Sequence, residues 1–516
     1  MKQTANVKGA VAPKAKIAVI GMSGLFPGSQ TLDGFWKNLV DNRDLTSLSE
    51  TMDFGADPQI YYHPEKGKLD RCYSLRGGYV RDFVFDPEGY RLDPDFLRQQ
   101  DPQFQWSLYV AQQALRDAQY WNRSDELRRC GVILGNLSFP TRYSRQIFAE
   151  AYAKLAESAL NDLCGTHIPI PAANTDYPAS LEQSLISNAP AALVAQALGL
   201  RGLHFSLDAA CASSLYAVKL ACDELHNGKA DMMLAGAVSG ADPLFIHMGF
   251  SYFHAYARHG EKSIPMDRQS GGLTSAEGAG VVVLKRLADA QRDGDRVLAL
   301  IDGVGLSNDG KGKFLLSPNP KGQKLAFERA YQQCELQPSD IDYLECHATG
   351  PPLGDKTEIN SIADFFVTEG ADAPLLGSAK SNMGHLLTAA GMAGMIKVIL
   401  AMQKRYLPAS IQIDAPVESE NGSIGGDQMV RKNREWPHSD RLPHAGINAF
   451  GFGGTNAHLI LSAYDAATES SPLPAPAPAQ AMAITGMELH VGACERLVDF
   501  YLALVRGEDF FRSLTP

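Results

Sequence analysis

Cys211 is the residue of this chain best placed for covalent chemistry. It stands in DAACASSL, between a run that reads as a strand, HFSL, and a run that reads as a long helix, SSLYAVKLACDELH, stopped at Gly228. A thiol at the start of a helix meets the positive end of the helix dipole and unpaired backbone N–H groups, both of which favour the nucleophilic thiolate. The small neighbours Ala209, Ala210, Ala212 and Ser213 leave room for a substrate to reach the sulfur. Cys222, further along the same helix, reads as one more small buried residue.

Two histidines join the cysteine. His347 lies in DYLECHATGPPLGD at a strand-to-loop transition, and His385 lies in SAKSNMGHLLTAAG, where a strand meets a helix opened by glycine. Ligands of α/β sheets gather at strand ends, so a cysteine and two histidines at three such ends point to one shared site. A fourth segment, NAFGFGGTNAH, places Phe452, Gly453 and Gly454 in a turn whose glycines let backbone N–H groups face an oxyanion. It lacks the GxGxxG spacing and the acidic ribose ligand of a dinucleotide loop. What these residue types can supply together is a thiol nucleophile beside backbone N–H groups able to hold an oxyanion.

The elements that must carry these residues follow from periodicity. Residues 17–463 alternate short β-branched runs with longer helical patterns, the signature of an α/β domain with buried sheets. His204 to Val238 is one complete unit: strand, tight turn, helix, and the buried strand ADMMLAGAV. Similar order recurs in AGVVVLKRLADA, in DYLECHATG with the helix near Asp355, and in the closing pair around NAFGFGGTNAHLILSA. Residues 1–16 read as a flexible lead, and 464–481, rich in Pro, Ala and Ser, as an extended linker. Beyond it, residues 482–516 resemble the opening of the chain without gaps. Ala18, Gly21, Met22, Leu32, Phe35, Leu39, Val40 and Asp44 are matched by Ala483, Gly486, Met487, Leu497, Phe500, Leu504, Val505 and Asp509. This predicts the truncated start of a second copy of the domain.

Composition narrows the classes. A chain of 516 residues exceeds what one core usually organises, and its 45% hydrophobic and 20% charged residues are ordinary for a globular protein. The net charge of −11 and the lack of a concentrated basic face argue against nucleic acid, while leaving an acidic carrier free to dock on a local basic patch. Eight cysteines without CxxC spacing signal neither a disulfide framework nor a metal site. No apolar stretch is long enough to span a membrane and no secretory h-region precedes Ile17, so a cytoplasmic location is expected.

With these four segments in order, DAACASSL, ECHATG, KSNMGH and GFGGTN, the chain resembles the β-ketoacyl synthases of the thiolase superfamily over residues 17–463. The opening IAVIGMSGLFPGSQTLDGFW resembles the branch found in modular polyketide and polyunsaturated fatty acid synthases. The resemblance implies a duplicated αβαβα layered fold, Cys211 as acyl acceptor and His347 and His385 as the paired histidines of the decarboxylating type. It further implies that Lys380 belongs to the hydrogen-bond network around them and that the N–H groups of Cys211 and Phe452 form the oxyanion hole. No cofactor or metal is implied; substrates arrive on the phosphopantetheine of an acyl carrier protein, in acyl and malonyl forms. The whole layout fits best the subunit of bacterial polyunsaturated fatty acid synthases in which a chain-length-factor domain follows the ketosynthase, making a dimer or pseudo-dimer. Alternatives are a modular polyketide ketosynthase and a non-condensing, length-setting partner; a degradative thiolase would lack the second histidine motif. The sequence departs from the family's Gly-Thr-Gly-Thr after the first histidine, carrying Ala348, Thr349, Gly350 and Pro351. The segment IPMDRQSGGLTSAEGAG keeps Asp267 and Glu277 but is unusual in its middle.

Overall fold

Strands that are apolar from end to end must be covered on both faces, and that requirement organises this molecule. In a computed structural model the described residues are 15–137, 140–170, 184–312, 314, 316–367, 372–467 and 481–511. They divide into two units, Met1–Pro474 and Ala475–Pro516. Most of the expected lead, and residues 468–480 of the expected linker, lie outside the described residues.

Ten strands of the first unit form one mixed sheet: β1 (Ile17–Leu25), β2 (Cys130–Asn136), β3 (His204–Leu207), β4 (Met232–Ser239), β5 (Gly278–Arg286), β6 (Ala299–Asn308), β7 (Tyr343–Glu345), β8 (Leu375–Gly377), β9 (His444–Gly451) and β10 (Thr455–Ser462). Their spatial order is β8-β7-β9-β10-β6-β1-β5-β4-β2-β3. Read outward from the central pair, β1-β5-β4-β2-β3 and β6-β10-β9-β7-β8 are the same order taken twice, so the first five strands and the last five are two copies of one design. The copies meet where β1 and β6 pair antiparallel, Ile17 opposite Ile301.

The helices fill the layers. The longer ones are α1 (Leu32–Val40), α2 (Pro102–Asp117), α3 (Arg142–Cys164), α4 (Ala189–Leu198), α5 (Ser213–His226), α6 (Pro243–Tyr252), α7 (Pro320–Tyr331), α8 (Pro352–Phe366) and α9 (Ala390–Lys404). Every residue of α9 from Ala390 to Met402 is buried, which marks a helix enclosed on all sides rather than a surface helix with one apolar stripe. It shares a core with Leu215, Val218 and Leu225 of α5 and with strand residues of both halves, such as Val282 and Leu459. Helices α2 and α4 cover the other face of the first half through Leu108, Leu115 and Val194. Helices α7 and α8 cover that of the second half through Phe327, Ile359 and Phe366. Each half of the sheet thus lies between the shared helices α5 and α9 and its own outer helices, in the thiolase-like fold that the resemblance implied.

In the second unit one helix, α10 (Leu497–Arg506), is described. It begins at the residue that the ungapped alignment pairs with Leu32, the first of α1. Before α10, Val491 and Cys494 exchange backbone hydrogen bonds of 3.0 and 2.9 Å, as the aligned Phe26 and Ser29 do at 2.8 and 2.9 Å. After it, Gly507 has φ +66°, matching the left-handed Asn42 at +54°. Residues 482–490, aligned with β1, form no strand; β1 exists because β5 and β6 flank it, and a lone strand gains no ladder.

Candidate active site

The cysteine turn is sterically demanding. Ala210 occupies the left-handed region at φ +49°, a conformation that costs a side-chain-bearing residue roughly 1–2 kcal/mol and that clusters at functional sites. The Ser213 hydroxyl holds it, accepting from Ala209 N at 2.9 Å and donating to Ala210 O at 2.6 Å. Behind the turn, Gly451 comes so close that a Cβ there would lie 2.7 Å from Ala209 O, and Thr455 Oγ1 donates to the same oxygen at 2.8 Å. That close approach seats the Phe452–Gly454 loop beside the nucleophile. Gly453 and Gly454 take φ +92° and +83°, as the sequence required of a turn presenting N–H groups. The Cys211 sulfur faces the backbone N–H groups of Phe452 and of Cys211 itself.

The structure brings His385 to that sulfur and His347 to the side of His385. His385 Nε2 lies 3.0 Å from Cys211 Sγ. The His347 and His385 rings stand edge to face with centroids 5.5 Å apart. Neither Nδ1 has a protein partner among the described residues. Gly384, at φ +83°, turns the chain out of the short helix Lys380–Met383. His385 is then fixed by backbone bonds, its N–H to Thr274 O and its carbonyl from Ala276 N, both 2.7 Å. Burial and the nearby Lys380 ammonium hold both imidazoles well below their usual pKa, so both rings are neutral at neutral pH. Lys380 is itself buried and donates to Cys346 O at 3.4 Å. Its pKa is lowered by burial, against the pull of the Glu345 and Glu358 carboxylates.

Burial pushes the Cys211 thiol up to about 11, against the Phe452 N–H, the charge of Lys380 and the N–H of Cys211 itself, which favour the thiolate. Cys211 is only 7% exposed, and burial of a thiol in apolar surroundings raises its pKa.

Three carboxylates that sequence reasoning did not single out build the walls. Glu358 accepts from the N–H groups of His347 and Ala348, each at 2.7 Å, and from Asn448 Nδ2 at 2.8 Å. Asp355 accepts from Thr349, Gly350 and Met266 N–H at 3.0, 3.2 and 2.7 Å, so the departure at Ala348 to Pro351 still leaves a tightly tied loop. Glu345 lies on the strand that delivers His347. Their acidic side chains in the DKTE and LECH segments were the available signal; nothing local reveals that they point inward. Asp267 and Glu277 have structural partners: Asp267 accepts from Asp414 and Ala415 N–H, and Glu277 pairs with Arg142 at 2.5 Å.

A cavity of about 330 Å³ reaches this site, lined by His347, Thr349, Pro351, Phe450, Phe452 and Phe253 among others. Phe452 serves twice, its residue lining the cavity while its N–H faces the sulfur. Among the described residues no cluster of metal-ligating side chains occurs and no helix is long and apolar enough to cross a membrane.

Residues 14–290 match the β-ketoacyl synthase N-terminal domain, residues 298–414 its C-terminal domain, and 424–491 the ketoacyl-synthetase C-terminal extension. The chain belongs to the β-ketoacyl synthase family. It is thus a ketosynthase condensing domain, a C–C bond-forming enzyme of the acyltransferase type. The family's general reaction is decarboxylative condensation of substrates carried on carrier-protein phosphopantetheine.

The chain is 34% identical, over 95% of its length, to a polyunsaturated fatty acid synthase polypeptide of Thraustochytrium. It is 34% identical over 89% of its length to a polyketide synthase–nonribosomal peptide synthetase hybrid of Aspergillus niger. It spans only 23% and 24% of those two proteins. A solved structure described as a PfaC keto synthase–chain length factor is similar with TM-score 0.87 and 47% identity, covering 97% of this chain and 53% of that one. The ketosynthase from module 6 of the Bacillus subtilis bacillaene synthase follows with TM-score 0.73 and 28% identity, over 87% and 72% of the two chains.

Proposed function

We propose that this ketosynthase transfers an acyl group to Cys211 and condenses it with malonyl-acyl carrier protein, as a β-ketoacyl-acyl carrier protein synthase of polyunsaturated fatty acid synthesis. The observation that carries the reading is the 3.0 Å approach of His385 Nε2 to the Cys211 sulfur, with the neutral His347 ring beside it. Placing each ring proton on Nε2 avoids a buried, unpaired Nδ1–H and makes both histidines donors toward the sulfur side of the site.

Cys211 attacks the acyl thioester, and the proton of its thiol ends on the departing carrier thiol. The N–H groups of Cys211 and Phe452 hold the oxyanion of that step, with Gly453 and Gly454 shaping the turn. Malonyl-carrier protein then takes the place of the first carrier. Its terminal C–C bond breaks, carbon dioxide leaves, and the electron pair forms an enolate whose oxygen accepts from Nε2–H of His347 and His385. The enolate carbon attacks the acyl-enzyme; collapse of the tetrahedral intermediate releases the β-ketoacyl-carrier protein and a Cys211 thiolate that regains a proton. Lys380, tied to the Cys346 carbonyl between β7 and His347, supplies positive charge near both rings. The cavity at Phe452 and His347 is the entry for the phosphopantetheine arm.

Similarity to the keto synthase–chain length factor structure and to the Thraustochytrium synthase supports the polyunsaturated fatty acid pathway over modular polyketide synthesis. The helix and turn of residues 491–507 repeat those of residues 26–42, which supports reading 482–516 as the start of a chain-length-factor domain. That domain is then the covalent partner of a dimer or pseudo-dimer in the cytoplasm. The test is product analysis: acyl-loaded protein given malonyl-carrier protein yields one carbon dioxide and one β-ketoacyl chain per turnover. Acylation without either product would make the chain a length-setting partner instead.

A further inference from the structure

Outside the cysteine–histidine centre, β7 and α9 carry a group of buried polar side chains. Glu345 and Lys397 are 2% and 1% exposed and pair at 2.7 Å in the middle of the molecule. Glu345 Oε2 also accepts from the Tyr343 hydroxyl at 2.7 Å, and Lys397 Nζ donates to that hydroxyl at 2.8 Å. The second oxygen, Oε1, accepts from Ala379 N at 2.6 Å. Isolated charges buried this deeply are costly, and an apolar pair of similar size would serve packing as well. The surrounding backbone also makes room for the group. A Cβ on Gly394 would lie 2.9 Å from Glu345 Cγ, and one on Gly377 would lie 2.3 Å from the Tyr343 hydroxyl.

What the carboxylate holds is informative. Ala379 immediately precedes the helix Lys380–Met383, which leads through Gly384 to His385. Glu345 is two residues before His347 and one before Cys346, whose carbonyl receives the Lys380 ammonium. A parallel tie runs from Ser378 Oγ to Ala348 O at 3.2 Å. One carboxylate therefore clamps the β7 end that bears His347 to the β8 exit that bears Lys380 and His385.

We propose that Glu345, locked by Tyr343 and Lys397, is a positioning residue for catalysis: it sets the place of Lys380 beside the two histidines. The groups facing the Lys380 ammonium are Glu345 and Cys346 from β7 and its exit, Glu358 from α8, Cys211 at the head of α5, and the neutral rings of His347 and His385. Among these Glu345 is the foremost in keeping Lys380 protonated against burial. Removing its charge lowers the Lys380 pKa further, so the alkaline limb of a reaction needing the ammonium moves to lower pH.

The inference rests on the proposed condensation, and its test separates the two. Carbon dioxide release from malonyl-carrier protein is followed against pH for the full chain and for Glu345→Gln, Glu345→Asp and the double variant Glu345→Gln/Lys397→Met. The double variant removes both charges and so keeps the fold if the single one fails to. Expected for the folded Gln variants is a loss in kcat on the order of tenfold to a hundredfold, the scale of a catalytic group displaced by about 1 Å, with KM within about twofold. The alkaline limb should move acidward, and Glu345→Asp should recover part of kcat. A folded variant lacking Glu345 with wild-type kcat and an unmoved limb would overturn the inference, as would full recovery of kcat in the double variant. A wild-type chain that releases no carbon dioxide would instead overturn the proposed function.

Discussion

Replacing His385 by Ala should slow two steps by different amounts, and the comparison with His347→Ala separates the roles. Of the two histidines it is His385 that hydrogen-bonds the sulfur, at 3.0 Å, while the His347 ring stands 5.5 Å from that of His385. The thiol is held up to about 11 by burial, so loading depends on every donor that steadies the developing thiolate. Loss of one hydrogen bond to a charged sulfur is worth about 1.5–3 kcal/mol, which slows loading roughly tenfold to a hundredfold in His385→Ala. His347→Ala should load within a few-fold of wild type, a rough expectation from its lack of contact with the sulfur. Condensation should fall in both by about 10²–10³, the scale of a lost oxyanion donor at about 2.7–4 kcal/mol. Loading is read by intact mass after rapid mixing with acyl-carrier protein, and condensation by adding malonyl-carrier protein to preloaded enzyme. Equal losses in loading for both variants, or condensation at the wild-type rate in either, would refute the reasoning.

Asp355, whose carboxyl burial and the neighbouring Glu358 push up to about 7 from 3.8, should impose a pH dependence on stability. Because its folded pKa is raised, its contribution is fully present below about 3.8 and is lost as pH rises through about 7. In Asp355→Asn an amide N–H must face one of the N–H groups that Asp355 now accepts from, which costs about 1–3 kcal/mol. Denaturant melts should show that gap narrowing from pH 5 to pH 7.5; a gap that widens contradicts the raised pKa. Truncation near Ala466 should leave loading at Cys211 intact and solubility equal or better. Ile484, Met487, Tyr501, Leu504 and Val505 are all exposed, and each such side chain forgoes about 1.5–3 kcal/mol until a second-domain core covers it. Collapse of the fold on that truncation would make the tail an integral part of one domain.

The chemistry of this protein was more legible in its sequence than its architecture. Cys211, His347 and His385 could be singled out because a strand end followed by small residues and glycine is a local pattern, whereas Lys380 and the Phe452 N–H followed from the family resemblance; in the structure His385, Lys380 and the Phe452 N–H act on the Cys211 sulfur, and the His347 ring stands beside that of His385. The strand–helix–strand unit from His204 to Ser239 was likewise readable from periodicity. The repeated strand order was not, because β7 and β8 are three residues each and their neighbours lie far along the chain. Glu345, Asp355 and Glu358 escaped notice for a related reason: an acidic residue signals solvent unless its distant N–H partners are known. The dipole argument at Cys211 took no account of burial, the largest influence on that thiol.

The central claim is that Cys211 carries the acyl chain. Intact-mass analysis of the wild-type chain and of Cys211→Ala, each incubated with acyl-carrier protein, tests it most directly. The account predicts one acyl adduct on the wild type, mapped to the peptide containing Cys211, and none on the variant. The same adduct on both proteins, or a wild-type adduct mapped to Cys222, would contradict it.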